Sequence, residues 1–352
     1  MKKVFSLLLI LALSLTITSA LAEKTIGVYL DAADDYYKAG FEVFAELAKG
    51  EGWTVLDIVG QGTAPEQIAA VEDYIVQGVD ALMIVQNSPQ ASSECLAKAL
   101  DAGIPIFFAT HNPPDEPGIA GFAGYDWVRS GRYAGEDAIA RGVKRIIMIE
   151  GKLGQGTAAG QTEGFVAAYI DAGLDVGDAM TIGGSGGEDL QIVFWGSGGW
   201  FADPAKKAMQ DAITTLGPDG FDGAYVHNDE MLDGAIQAME EAGLNPGDYW
   251  LGSSNGKEKS WVWVEEGKVT MDVNQTPTLE ADLIYQQMKA FFAGEPYKKF
   301  VFPSLIPYNI DNVDASAYVP YIKDDYFVKR EAGAFVFDIN DDIFEVMSGY
   351  TQ

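Results

Sequence analysis

From Thr25 the chain alternates short apolar runs with longer stretches whose apolar positions recur at helical spacing. Thr25 to Leu30 reads as a strand, and the stretch from Tyr36 to Lys49 sets Phe41, Phe44, Leu47 and Ala48 on one helical face before Gly50 stops it. Trp53 to Ile58 is a second strand, and Pro65 opens a helix with Ile68, Val71, Tyr74 and Ile75 on one face. Ala81 to Val85 is apolar without a break, as in a strand covered on both sides. A helix to Asp101 and a strand over 104–108 complete this series. The same rhythm restarts at Trp127: helix to Arg141, strand 145–149, helix 162–172, a glycine-rich stretch 183–199, helix 204–215, strand 223–226, helix 230–242 and strand 249–251. A strand over 268–273, a helix over 278–292 and an extended piece over 300–308 follow, and beyond Asn309 the pattern gives way to an aromatic, acidic tail. Each series spans about 100 residues, the usual size of one domain, so the pattern predicts two similar α/β lobes with parallel sheets.

The first residues change where the protein is expected to act. Lys2 and Lys3 precede an apolar run from Val4 to Leu13, a polar patch from Ser14 to Ser19 and Ala20-Leu21-Ala22. This is the layout of a signal peptide over residues 1–22, with export to a bacterial periplasm as its consequence. A membrane anchor needs roughly 20 uninterrupted apolar residues, which the serines and threonines deny. Without the leader the chain holds 21 basic and 52 acidic residues, a net charge of −31. Such a surface repels nucleic acid and anionic headgroups, which excludes both as partners. The single cysteine, Cys95, allows no intrachain disulfide and reads as a small buried hydrophobe.

Candidate chemistry centres on Tyr225 to Met231, where a buried strand runs through His227-Asn228-Asp229-Glu230 into a helix. Side chains beyond the carboxyl end of a strand are where open α/β sheets hold small ligands. The same residue types also cap helices, so Asn228 has a structural reading as well. Gly183 to Gly187 fits G-x-S-x-G, with Ser185 at its centre and His227 downstream. A nucleophile elbow needs a helix directly after the serine, and more glycine follows instead, so a serine hydrolase is a remote reading. Gly154 to Ala159 fits a dinucleotide fingerprint but begins several residues after its strand. Two histidines and one cysteine make a zinc site improbable, and the acidic tail lacks the ligand spacing of a calcium loop. No metal, cofactor or catalysis is expected.

The strings TIGVYLDAADDYYKAGFEVFAELAKGEGW, GVDALMIVQNSP, ALDAGIPIFFAT, TEGF at 162–165, HNDEM at 227–231 and VNQTP at 273–277 occur in one order. In them the chain resembles the type I periplasmic sugar-binding proteins, the ribose-binding-like group, over nearly all of residues 25–308. The resemblance implies two Rossmann-like lobes joined by a three-stranded hinge, closing on a ligand whose bound form an ABC permease recognises. The implied division is a leader at 1–22, one lobe at 23–126 plus 277–304, a second at 127–276 plus 305–330, and a tail at 331–352. A monomer is expected.

The resemblance also assigns a site. Tyr36 and Tyr37 fall at the family's paired aromatics, Asp34 at an amide that reaches the ligand, and Trp200 near the aromatic of the second lobe, with Trp195 and Phe201 as rivals. Asn228 matches the ligand amide, Gln275 the hinge glutamine, and Ser254 or Asn255 an aspartate that pairs with sugar hydroxyls. Thr110-His111 stands where ribose-type members carry Asp-Arg, and Ala159, with Gln161 nearby, stands where a second arginine is expected. Losing both guanidinium forks removes the strongest charge-assisted donors, so the pattern is not that of ribose. His111, Asn112, Gln161 and Gln86 could still bond the hydroxyls of another sugar or sugar-like ring. Aromatic rings beside Asp34 and Asp35 would also suit a nucleoside or an amine, and an exported sensor of the same shape would read alike.

Overall fold

The computed structural model describes residues 23–313 and 318–335; the expected leader at 1–22 and the tail beyond residue 335 lie outside the described residues. The first series runs β1 (Thr25–Leu30), α1 (Asp35–Gly50), β2 (Thr54–Val59), α2 (Ala64–Gln77), β3 (Ala81–Val85), α3 (Pro89–Ala102), β4 (Ile106–Ala109) and β5 (Gly121–Ala123). The second runs α4 (Trp127–Ala140), β6 (Arg145–Glu150), α5 (Gly156–Asp171), β7 (Gln191–Ser197), α6 (Ala202–Leu216), β8 (Gly223–Val226), α7 (Asp229–Glu241), β9 (Trp250–Asn255), α8 (Glu258–Glu265) and β10 (Met271–Asn274). After these come α9 (Pro277–Ala293), β11 (Phe300–Val301), β12 (Ile306–Asn309) and α10 (Lys323–Glu331). The strands form two sheets, in the orders β11-β5-β4-β3-β1-β2 and β12-β10-β9-β8-β6-β7. Their pairs are parallel except β12, which runs antiparallel to β10. This is the expected α/β fold of two lobes.

Alternation along each strand divides the cores. In β1, Val28 and Leu30 pack with Phe44 of α1 and Ile284 of α9, while Tyr29 turns to the opposite layer with Val71 and Leu96. Two covered faces explain why β3 and β4 are apolar throughout and fully buried. Helices α2 and α3 stop at Gly78 and Gly103, both left-handed at φ 71°, a conformation that glycine adopts without steric cost.

Several elements differ from the pattern reading. The glycine-rich stretch contains β7, an edge strand of the second sheet, partly exposed along its whole length. The flanking glycines and single-sided pairing hide it. The short β5, helix α8 and helix α10 were also not expected. The expected three crossings between lobes are present, after β5, after β10 and after β11. A fourth is added: Val313 and Tyr318 pack on the second core, but Val319, Tyr321 and Tyr326 lie in the first. Residues 305–330, expected wholly with the second lobe, therefore divide between the two.

Candidate functional site

The carboxyl ends of both sheets face a common cavity with about 470 Å³ of space not filled by atoms, its open mouth included. From the first lobe, Asp34 lies at the start of α1 with Tyr36 and Tyr37, and Thr110 and His111 follow β4. From the second, Trp200, Asn228 and Asn255 come from the ends of β7, β8 and β9, and Gln161 comes from α5. Eight of the sequence-assigned residues thus meet at one cavity. Two do not line it. Asn112 lies just outside, its carbonyl taking a hydrogen bond from Gln86. Gln275 sits behind the wall, donating from Nε2 to Ser254 Oγ at 2.9 Å. Of the rivals, Trp195 packs against the second-lobe core and Phe201, 40% exposed, does not line the cavity, so Trp200 is the aromatic presented. Asn255 lines the cavity, whereas Ser254 is fully buried and bonds the His227 carbonyl.

Backbone strain marks the same place. Among the described residues, the non-glycine residues with positive φ are Thr110 (69°), Trp200 (79°) and Asn255 (113°), and all three line the cavity. Such conformations cost on the order of 1–3 kcal/mol each and persist where the surroundings over-determine them. Thr110 is held by its hydroxyl, which donates to Glu280 Oε2 at 2.9 Å, and by its carbonyl, which accepts from Trp127 Nε1 at 3.1 Å. Trp200 donates from Nε1 to Gln155 Oε1 at 2.6 Å and accepts at its carbonyl from Asn228 Nδ2 at 3.2 Å. Its indole lies so close over Gly151 that a Cβ there would stand 2.2 Å from the ring.

The capping reading holds together with the site reading. Asp34 Oδ1 accepts from the Tyr37 amide at 2.8 Å and Asn228 Oδ1 from the Met231 amide at 2.9 Å, each satisfying an orphan N–H of a first helical turn. Capping fixes each side chain at the cavity edge and leaves part of it for a ligand. Gln161 is anchored in the same way: its Oε1 accepts from Tyr225 at 3.0 Å.

Two titratable groups of the wall are held toward their neutral forms. Burial pushes the Asp34 carboxyl up to about 7, against the opposing Tyr37 amide and helped by Glu230, Asp35 and Asp31. Burial, with the nearby Lys152 charge, pulls His111 down to about 4, so its ring is neutral and pairs with the Tyr37 hydroxyl at 2.7 Å. Its Nδ1 has no hydrogen-bond partner. Among the described residues no arginine lines the cavity and one lysine does, Lys257, whose ammonium pairs with Asp35 of the opposite lobe at 3.0 Å. Lys152 makes a second bridge between lobes, donating to the Gly62 carbonyl at 3.1 Å.

Sequence reasoning missed Trp127, Thr157, Glu230, Lys257 and Tyr321 as lining residues. Thr157 lies one helical turn before Gln161 on α5 and Glu230 two residues after Asn228 at the start of α7, so helical spacing from the assigned positions would have found them. Tyr321 carries no such signal. The paper triad is not assembled: Ser185 bonds Asp178 at 3.4 Å, while His227 accepts from the Gly151 amide and contacts Thr162.

The periplasmic binding protein domain family matches residues 26–296. The chain belongs to the periplasmic binding proteins. Among its relatives, this binding protein is 27% identical over 325 residues to the galactofuranose-binding protein YtfQ of Escherichia coli K12, covering 89% of this chain and 94% of that protein. It is 26% identical to a xylitol-binding protein of Mycolicibacterium smegmatis over 82% of this chain and 78% of that one. The crystal structure of a galactofuranose-binding protein superposes with a TM-score of 0.73 at 23% identity, covering 89% of this binding protein and all of that chain. Among the described residues no helix is long and apolar enough to cross a membrane.

Proposed function

We propose that this chain is the periplasmic solute-binding component of an ABC importer, closing two lobes on an uncharged sugar or sugar-like ring. The lobes are residues 23–126 with 277–304, and 127–276 with 305–313 and Tyr318. The observation that carries the reading is the wall itself: tyrosines from one lobe and Trp200 from the other line a cavity edged by amides and a neutral imidazole. Ring C–H faces suit the aromatics, and hydroxyls suit groups that both donate and accept. The relatives named for galactofuranose and xylitol support the same class. Among the described residues no arginine lines the wall, which disfavours an anionic sugar. Asp34, Tyr36, Tyr37, His111, Gln161, Trp200, Asn228 and Asn255 are the proposed contacts; Asn112 and Gln275 support them from behind. The Asp34 and Glu230 carboxyls favour an amine as the second reading.

The test is calorimetric titration of protein stripped of retained ligand by partial unfolding and refolding. The panel is D-galactose, L-arabinose, D-ribose, D-allose, D-xylose, xylitol, myo-inositol, adenosine and putrescine. Saturable binding of a sugar or polyol, weakened at least tenfold by Asn228→Ala and by Trp200→Ala, is expected. Binding of putrescine or adenosine alone would overturn the sugar reading and keep the site.

A further inference from the structure

The chain continues past the residues matched to the family, and the continuation returns to the cavity. Residues 318–322 lie across the hinge and are bonded to both lobes. On the second-lobe side, Asn274 exchanges two hydrogen bonds with the Val319 backbone, at 2.9 and 3.1 Å. Glu258 Oε1 accepts from the Tyr321 and Ile322 amides at 3.0 Å each. On the first-lobe side, the Thr278 hydroxyl donates to the Pro320 carbonyl at 2.7 Å. Helix α10 then anchors the segment through a fully buried carboxylate: Asp282 accepts from the Tyr326 hydroxyl at 2.8 Å and from two nitrogens of Arg330.

These anchors place Tyr321 in the cavity wall. Its ring meets Tyr36 edge to face at 6.2 Å, and the Lys257 ammonium lies 5.4 Å from its centre. Tyr321 is only 6% exposed, yet its hydroxyl has no hydrogen-bond partner. A buried hydroxyl normally has one, and an orphan at a cavity wall points to a group the cavity admits.

We propose that residues 318–335 are a working part of the binding site: a strap fixed to both lobes across the hinge that presents the Tyr321 hydroxyl to the bound ligand as a specificity contact. The contact rests on the sugar-binding reading above; the strap does not. Because the strap crosses the hinge, its docking and the closed arrangement of the lobes stabilise each other, since whatever favours one is favoured by the other.

Two measurements on the full-length protein test this. The first is titration with the sugars and polyols named above, comparing the parent with Tyr321→Phe, which removes one oxygen and keeps the ring. A lost hydrogen bond to a buried hydroxyl predicts about a tenfold weaker Kd. The thermal midpoint of the ligand-free variant is expected to stay where the parent's is, which a merely structural tyrosine would not guarantee. Unchanged affinity in Tyr321→Phe would overturn the contact. The second is hydrogen exchange of ligand-free protein, which needs no ligand. Amides of 319–332 should be protected in the parent and exchange faster together in Arg330→Gln, with Val328→Ser on the exposed side of α10 as an unaffected control. Exchange of this segment at free-peptide rates in the parent would overturn the strap. If no sugar or polyol binds the parent, the sugar reading fails, the Tyr321 contact falls with it, and exchange alone decides the strap.

Discussion

Glu280 is the residue whose removal tests most directly how the cavity wall is held. It is fully buried on α9 and accepts from the Thr110 hydroxyl. Burial pushes its carboxyl from 4.5 up to about 8, with Thr110 and Tyr36 pulling the other way. The folded state therefore keeps a proton that the unfolded chain releases. A raised folded-state value means that its contribution to stability is full below about pH 4.5 and is lost as pH rises through about 8. One proton difference is worth about 1.4 kcal/mol per pH unit, so about 2.5 kcal/mol is lost between pH 5 and 7 from this group. Glu280→Gln keeps the shape and an oxygen for Thr110 but cannot titrate. Urea unfolding of parent and variant at pH 5, 6, 7 and 8 should give stabilities that diverge as pH rises, the parent losing about 2.5 kcal/mol more than the variant between pH 5 and 7. Asp34 and Asp229, raised to about 7 and about 6, contribute in the same direction in both proteins and cancel in the difference. Parallel pH profiles for the two proteins would refute a neutral Glu280.

Three further outcomes follow from the same geometry. Gly151→Ala puts a methyl where the Trp200 ring lies, so the indole must move; ligand affinity should fall at least tenfold and stability by about 1–3 kcal/mol, and unchanged affinity would show that Trp200 is not a contact. Lys257→Met breaks the pair with Asp35 across the cavity mouth; because Asp35 is mostly exposed, the pair is worth only about 0.2–1 kcal/mol, and binding should weaken less than about fivefold while losing part of its salt dependence, as titration at 20 and 500 mM salt would show. Cys95 is buried and its thiol is pushed up to about 11 by burial, so Ellman's reagent at pH 8 should label it only after unfolding in urea; rapid labelling of native protein would contradict its place in the core.

The sequence by itself determined the alternation of strands and helices, and with it the two parallel sheets. Runs such as Ala81 to Val85 are apolar because both faces are covered, and that condition is written locally. It also marked Asn228, because a residue that caps a helix at the end of a strand is fixed by its immediate neighbours, whereas Asp34 was marked through the family resemblance. Tertiary structure decided the rest. Strand β7 lies among glycines and gains its identity only from pairing with β6. Trp200 was separated from Trp195 and Phe201 by a positive φ and by the bare surface of Gly151, neither of which periodicity reveals. Asn112 and Gln275 carry the right chemistry but lie outside the wall, since a side chain's reach depends on what packs beside it. Tyr321 reaches the cavity from far along the chain through Asn274, Glu258, Thr278 and Asp282, partners on both lobes that only folding brings within hydrogen-bonding distance of its segment.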